Sequence, residues 1–567
     1  MTWTVILLLL FGFWVSSNFY SLFRNYLTAR KTGLPILICP INQYNPVWMV
    51  SSVPLNPLYK RLLPSWIYEG IDVASYGFEF RVKGSIFKKY GPAFILVTPG
   101  GNELSTIDPE LITEALKRPK DFPNTDMGEV IMNVFGPNLL TSNGEPWSRQ
   151  RKLIAPNINE KISKLVFSES CRQAREMLGS YMDDFKGVTN DSMQGMKTIA
   201  INVLGAAGFG ISRPWKEQEA SRPEGRRFTY MEATKIVVEN ILAAVFPTKL
   251  LTLRVLPKSW QDIGRAKNEF PPLTKEMLEH ERKLQTTTSE PRSNLMSTLV
   301  RLSDTGDAKS SQYLSEEEML GNLFIFTAAG FDTTANTMAY ALALLATYPK
   351  WQDWLYEEIS TVVGDKPIED LEYSGIFPRL PRCLALMFET VRLFPPLVHI
   401  AKQVNKTHDV TVTTSLGTYV LPKRTSVYIS SVALHRNPQT YGDDADQFRP
   451  DRWLIDPTLS PDSPLSTIAN VKTMPKGTFV PWSAGPRACP GMKMSQVEFV
   501  SVFMTIFETH RCEAVRLRND ETDEQVKSRF DAVMEDSGPR LTLQMNRGQD
   551  LKIKWIKRRR SNGSQRL

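Results

Sequence analysis

The chain has 567 residues, 42% of them hydrophobic and 23% charged, with 38 prolines and 32 glycines. This is the composition of an ordinary folded globule and excludes disordered, collagen-like and coiled-coil classes. The formal charge of +8 is no nucleic-acid signal: seven of those charges lie between Lys552 and the chain end, where no acid occurs, so the body has no basic face to follow a phosphate backbone.

From Trp3 to Phe23 no residue is charged. That stretch is about 31 Å long as a helix, enough to cross a bilayer core. Trp3 and Tyr20 sit near its ends, and Arg24, Arg30 and Lys31 follow it, which puts the rest of the chain on the cytosolic side. A cleaved signal peptide is the alternative, but it lacks the charged start and the small-residue cleavage site. Prolines 35, 40, 46, 54, 57 and 64 predict an extended connector after the span. The expected partition is an anchor over 1–24, a proline-rich hinge over 25–69, one large, mainly α domain with a small β region over 70–545, and a solvated basic tail over 546–567. Runs such as Ala93–Thr98 and Ser426–Ser431 have strand character. Sequons stand at Asn190, Asn405 and Asn562; with a cytosolic body they stay unmodified.

Ser315-Glu-Glu-Glu318 reads as a capping box opening a helix that persists to Thr347, before Pro349. Between Met319 and Tyr348 its one charged residue is Asp332. An acid in such a setting is costly unless paired or hydrated. Gly330, Thr333, Thr334, Asn336 and Thr337 around it weaken a helix. The pattern predicts a locally opened helix with an acid and an alcohol on one turn, fit for moving protons; structural polar packing is the alternative.

The five cysteines include no CxxC pair, so a functional one acts without a cysteine partner. Cys489 lies in Phe479-Val-Pro-Trp482-Ser-Ala-Gly485-Pro-Arg487-Ala-Cys489-Pro-Gly491, ahead of an apolar helical run. It is expected at the N-cap with Pro490 at the first helical position, where helix-start amides and Arg487 favour a thiolate. Gly485 and Gly491 clear side-chain bulk on both sides, as for something flat approaching the backbone.

This run resembles the haem-ligand loop of the cytochrome P450 monooxygenases, F-x-x-G-x-R-x-C-x-G, with Trp482 in place of the Phe. Three more motifs follow the family's order. Trp147-Ser-Arg-Gln-Arg151 is similar to its W-x-x-x-R. Ala329-Gly-Phe-Asp332-Thr333-Thr is similar to its oxygen-activation pattern. Glu389-Thr-Val-Arg392 resembles its ExxR, completed by Phe448-Arg-Pro-Asp451-Arg452-Trp453.

The resemblance implies a haem-thiolate fold carrying haem b, with Cys489 as the axial ligand of the iron. Arg487, Trp147, Arg151 and, less strongly, His399 are then propionate contacts, with Gly485 and Gly491 beside the cofactor. Asp332 and Thr333 deliver protons, and Glu389, Arg392 and Arg452 form a buried charge cluster. The Trp482 indole is placed to donate toward the thiolate. Phe324, Thr327, Ala328 and Val398, with the loop 127–138, line an apolar substrate pocket.

The implied activity is insertion of one atom of O2 into a small apolar substrate, as in fungal members that decorate terpenoids, polyketides or alkaloids. No dinucleotide fingerprint occurs, so electrons come from NADPH through a separate cytochrome P450 reductase, with cytochrome b5 as an auxiliary donor, at the endoplasmic reticulum membrane. Arg149, Lys152 and Lys493 are placed to meet such a partner. Two rival readings are a haem-thiolate isomerase or dehydratase needing neither O2 nor reductase, and a non-catalytic haem sensor.

Overall fold

The computed structural model describes residues 3–216, 225–287, 294–304 and 313–558. The chain opens with helix α1 (Trp3–Arg30), of which 5–30 is long and apolar enough to cross a membrane. Its last turns are not free: Asn25 Nδ2 donates to Thr98 O at 2.8 Å, Asn102 Nδ2 donates to Asn25 O at 3.0 Å, and Ala29 is fully buried.

The segments flanking the body differ from expectation. Strand β1 (Ile36–Ile38) and helix α2 (Pro46–Leu62) replace an extended connector. Asn45 caps α2 by accepting from Val47 N and Trp48 N, and Pro46 takes the first helical position, where it loses no bond. Pro54 and Pro57 are carried inside because Trp48, Ser52 and Asn56, four residues apart, bury one face. The second correction is at the other end, where the basic segment forms a strand.

A five-stranded sheet collects β1, β2 (Ala93–Thr98), β3 (Gly101–Thr106), β4 (His399–Gln403) and β5 (Ser426–Ser430) in the order β1-β2-β3-β5-β4. Pairing is parallel for β1 with β2 and β3 with β5, and antiparallel for the rest.

The body is helical. Around it pack α3 (Gly144–Ile154), α4 (Glu160–Phe185), α5 (Ser192–Phe209), α6 (Glu316–Thr347), α7 (Pro381–Leu393) and α8 (Met492–Thr509), all contributing to one apolar core. Helix α6 runs through it. Its capping box is formed as expected, with Glu318 N donating to Ser315 Oγ at 3.1 Å and Ser315 N to Glu318 Oε2 at 3.0 Å. Alanines 335, 339, 341, 343 and 346 let neighbours approach closely. At Gly321 any side chain would strike the carbonyls of Gly136 and Pro137, each 2.5 Å from a built Cβ, so the 133–138 loop lies directly on α6.

The expected opening near Asp332 is absent. Helix α6 is continuous, and the threonine hydroxyls bond back to its own carbonyls, Thr333 to Ala329 O at 2.9 Å and Thr337 to Thr333 O at 2.8 Å.

The chain end is held by a small antiparallel sheet of β6 (His510–Ala514), β9 (Ile553–Lys557) and residues 188–189; β7 (Ser537–Pro539) and β8 (Leu543–Met545) form a hairpin before it. In β9, Ile553 and Trp555 are buried while Lys554 between them is exposed, the alternation of a half-buried strand. Trp555 Nε1 donates to Ser192 Oγ at 3.1 Å. Asn190 is exposed and the Asn405 side chain accepts from Thr407 N at 2.9 Å; Asn562 lies outside the described residues.

Candidate active site

Helix α7 starts on Pro381, buries the face carrying Glu389 and Arg392, and ends before Pro395 and Pro396. Both charged side chains are fully buried. Arg392 meets both carboxylate oxygens of Glu389, at 2.7 and 2.8 Å. Arg452 Nε donates to Glu389 Oε1 at 3.1 Å, Arg449 N at 2.8 Å, and Trp453 Nε1 donates to Oε2 at 2.9 Å. The remaining Arg392 donors reach the carbonyls of His435, Ala445 and Gln447. The expected three-residue cluster is therefore formed, with every charge answered.

His435 joins this cluster to the Cys489 loop. Its Nε2 accepts from Val480 N at 3.1 Å, and burial, with Arg392 beside it, pushes its pKa down to about 3. It is a neutral acceptor. No motif marked it.

In the loop itself, Cys489 N donates to Trp482 O at 2.8 Å. Helix α8 begins at Met492 with Gly491 at the N-cap, two residues later than expected, so Cys489 precedes the helix. Cys489 is exposed to a water-sized probe, yet protein surrounds its thiol closely enough that burial raises its pKa, while the Gly491 amide and the Arg151 charge pull it down.

The two glycines have different reasons. Gly485 has φ +68°, and a built Cβ would lie 2.4 Å from Leu116 O, so backbone packing requires glycine there. At Gly491 the one atom within 4 Å of a built Cβ is Cys489 Sγ at 3.8 Å; that side is open. The Trp482 indole donates to Ser495 Oγ at 3.1 Å, not toward the sulfur.

Helix α3 places Trp147 and Arg151 on one face, four residues apart. The Arg487 guanidinium lies 4.3 Å over the Trp147 ring and donates to Ser142 O and Asn143 Oδ1 at 2.9 and 3.0 Å, while its Nε is buried without a partner. Burial and the neighbouring Arg151 lower the Arg487 pKa to about 10. Burial lowers that of Arg151 as well.

A third cation completes the group: Lys402, 5% exposed, donates to Asn124 Oδ1 at 2.7 Å, and burial with the Arg487 charge lowers its pKa to about 7. Among the described residues none of Arg151, Arg487 and Lys402 forms an ion pair.

His399 is corrected by the same strand. It pairs with the buried Glu79 carboxylate and stacks on Tyr428 with ring centroids 4.6 Å apart. Burial alone would lower its pKa, but the Glu79 charge and hydrogen bond hold it up. Successive residues of a strand face opposite sides, so His399 and Lys402 point apart, and Lys402 is the one beside Arg487.

Arg149 is also corrected. It turns inward to Glu318 at 2.5 Å and to Tyr313 O. Gln150 and Asn322, both fully buried, extend that network: Gln150 Nε2 reaches Glu318 Oε1 at 3.1 Å, Asn322 Nδ2 reaches Gln150 Oε1 at 2.9 Å, and Leu139 N donates to Asn322 Oδ1 at 2.9 Å. Lys493 lies 4.0 Å over the Phe377 ring, and Lys152 is exposed.

On α6, Ala329 is exposed although most of the helix around it is buried, and Gly330 and Thr333 are half-buried, so the helix is left uncovered along this short face. Phe324, Thr327 and Ala328 are fully buried and do not border it. Phe324 packs in a ring cluster with Phe135 and Phe270, and Thr327 is bonded to the Tyr230 hydroxyl at 2.9 Å. Val398 is buried and its neighbour Leu397 is the exposed residue. Asp332 is buried; its Oδ2 accepts from Thr542 Oγ1 at 2.5 Å and its Oδ1 from Asn336 Nδ2 at 3.3 Å. Burial raises its pKa against these bonds and the Lys197 charge.

The cytochrome P450 family model matches residues 79–542, and the chain belongs to that family: a haem-thiolate monooxygenase fold with a candidate membrane-spanning helix at its N-terminal end. Among similar proteins, the phomenoic acid biosynthesis cluster cytochrome P450 monooxygenase of Leptosphaeria maculans is 34% identical over 87% of this chain and 89% of its own. A cytochrome P450 monooxygenase of Arthrobotrys oligospora is 27% identical over 95% and 96%, and one of Penicillium roqueforti 27% over 85% and 86%.

The residues present fit the family's haem. Two half-buried arginines and the buried Lys402, with no carboxylate on them among the described residues and a buried Arg487 Nε without a partner, suit the two carboxylates on a haem edge. The open ground beside Gly491 suits a flat group over the Cys489 thiol.

Proposed function

We propose that the protein is a membrane-anchored haem-thiolate monooxygenase that inserts one atom of O2 into a small apolar metabolite of a secondary pathway. The observation that carries this reading is the unpaired cation group of Arg151, Arg487 and Lys402 beside an accessible Cys489. Cys489 would hold the haem iron through its thiolate, and a bound haem so held would supply reductive activation of O2. Arg151, Arg487, Lys402 and Trp147 hold the propionate edge. Gly491 leaves room over the sulfur. Ala329 and Thr333 share the uncovered face of α6, where Ala329 admits the substrate and the Thr333 hydroxyl holds the proton acceptor in place. Asp332 supplies protons to it from the far side of the helix.

Electrons come from NADPH through a separate reductase, and α1 anchors the body to the cytosolic face of the endoplasmic reticulum. The biosynthesis-cluster name of the Leptosphaeria relative favours a secondary-metabolite substrate.

The reduced protein treated with carbon monoxide is expected to show thiolate-type absorption, lost in Cys489→His. With reductase, NADPH and 18O2, one labelled atom enters the product. An imidazole-type spectrum in the unaltered protein, or a product formed without reductase and O2, overturns the reading.

A further inference from the structure

Asp332 and Thr333 are consecutive on a continuous helix, and consecutive helical residues do not face one another. The structure shows where the acid goes instead. Thr542, between β7 and β8, donates to Asp332 Oδ2 at 2.5 Å, and Asn336 Nδ2 donates both to Asp332 Oδ1 at 3.3 Å and to Thr542 Oγ1 at 2.9 Å. This closed triangle joins α6 to a hairpin 210 residues further along the chain.

The hairpin is braced in turn: Arg540 N donates to Thr542 O at 3.1 Å, and Leu543 N to Pro396 O at 2.8 Å. On the same side Lys197 of α5 donates to Gln544 Oε1 at 3.1 Å, and its charge acts on Asp332. The other charged group acting on Asp332 is Glu239, while Lys235 and Arg540 act on Lys197. The Thr333 hydroxyl, by contrast, rests on Ala329 O on the half-open face.

We propose that Thr542, with Asn336, is a latch that holds the Asp332 carboxyl toward Lys197 and away from Thr333, so that proton delivery requires the latch to open. Resting on the monooxygenase reading, this makes Thr542 a positioning residue rather than a catalytic one. Opening breaks the Thr542–Asp332 bond and lets the carboxyl rotate. The freed carboxylate takes up a proton from solvent on the Lys197 side, passes that proton to the acceptor held at Thr333, and returns as the carboxylate to Thr542 and Asn336. A hairpin that moves when substrate binds would tie proton delivery to occupancy of the site.

The test reads Asp332 directly in the full-length, substrate-free protein, from the infrared carboxyl band that vanishes in Asp332→Asn. Thr542→Val removes the donor at nearly constant volume. It is expected to raise the proton affinity of Asp332 about tenfold, the weight of a hydrogen bond to a charged acceptor, and Thr542→Ser is expected to restore it. With reductase and NADPH, the valine variant is expected to consume NADPH faster in the absence of substrate, releasing peroxide. If the valine variant does not fold, Thr542→Ala serves in its place.

An unchanged Asp332 titration in the variant lacking the hydroxyl overturns the latch, as does a serine variant that shifts as far as the valine one. A shifted titration with unchanged substrate-free NADPH consumption overturns the gating. Absence of the thiolate-type carbon monoxide spectrum in the unaltered protein overturns the monooxygenase reading instead, and leaves the infrared titration readable.

Discussion

Two charge groups flank the Cys489 loop, around Glu389 and around Arg487, and they are built oppositely. Around Glu389 every charge is answered: two arginines, an indole N–H and a backbone amide meet one carboxylate, and leftover guanidinium donors reach carbonyls. Around Cys489, Arg487 is repelled by Arg151 and repels Lys402, and among the described residues no acid pairs with any of the three. The first is a finished joint that sets geometry. The second has no anion among the described residues, and in the proposed reading it is the seat of the haem carboxylates and lowers the stability of the haem-free chain. A buried ion cluster of the first kind is weak support for stability as such and is kept for the arrangement it imposes.

The comparison is broken most severely at Glu389. Glu389→Gln leaves Arg392 and Arg452 facing an uncharged amide in a sealed site, and is expected to cost about 3–5 kcal/mol, seen as loss of folded, haem-loaded protein in denaturant titrations. A cost below about 1 kcal/mol would show that the two arginines do not depend on the Glu389 charge.

His435 bridges the two groups, and its effect is intermediate. Its folded-state pKa, about 3 against an ordinary 6.5, is depressed, so its contribution is fully present above pH 6.5 and is lost as pH falls toward 3. His435→Gln keeps an acceptor for Val480 N but removes the titration. The acid limb of the stability curve is expected to flatten by up to about 1.4 kcal/mol per pH unit; equal slopes in the two proteins would remove His435 from the acid response.

The smallest effect sharpens the open group. Lys402→Met is expected to stabilise the haem-free protein by about 1 kcal/mol, since an unpaired buried cation is exchanged for an apolar chain, and at the same time to speed haem loss to an external acceptor. Haem loss at the unaltered rate would remove Lys402 from the propionate edge.

The parts of this site legible in the sequence are those written in local code. A capping box, an i,i+3 acid and base ended by prolines, and a cysteine framed by glycines and an arginine each declare themselves within about a dozen residues. The family motifs then order them. What stayed hidden depends on partners far along the chain. Whether His399 or Lys402 points to Arg487 is decided by strand register, which the sequence states only through pairing with 426–430. Arg149 looked like a surface cation because its acid, Glu318, is 169 residues away. The helix over 46–62 was masked by its own prolines, whose lost donors matter little once Trp48, Ser52 and Asn56 are buried. Thr542 carries no motif at all and is found through Asp332.

The docking of α1 on the sheet has a practical side. Leu22 and Tyr26 pack against the cluster that includes Ala29, Ile95 and Val97, so the apolar segment and the globule share their border residues. A shortened, detergent-free version that starts beyond Lys31 would bare this seam and invite self-association, whereas one that starts at about Leu22 would shed the greasy portion and keep the seam sealed.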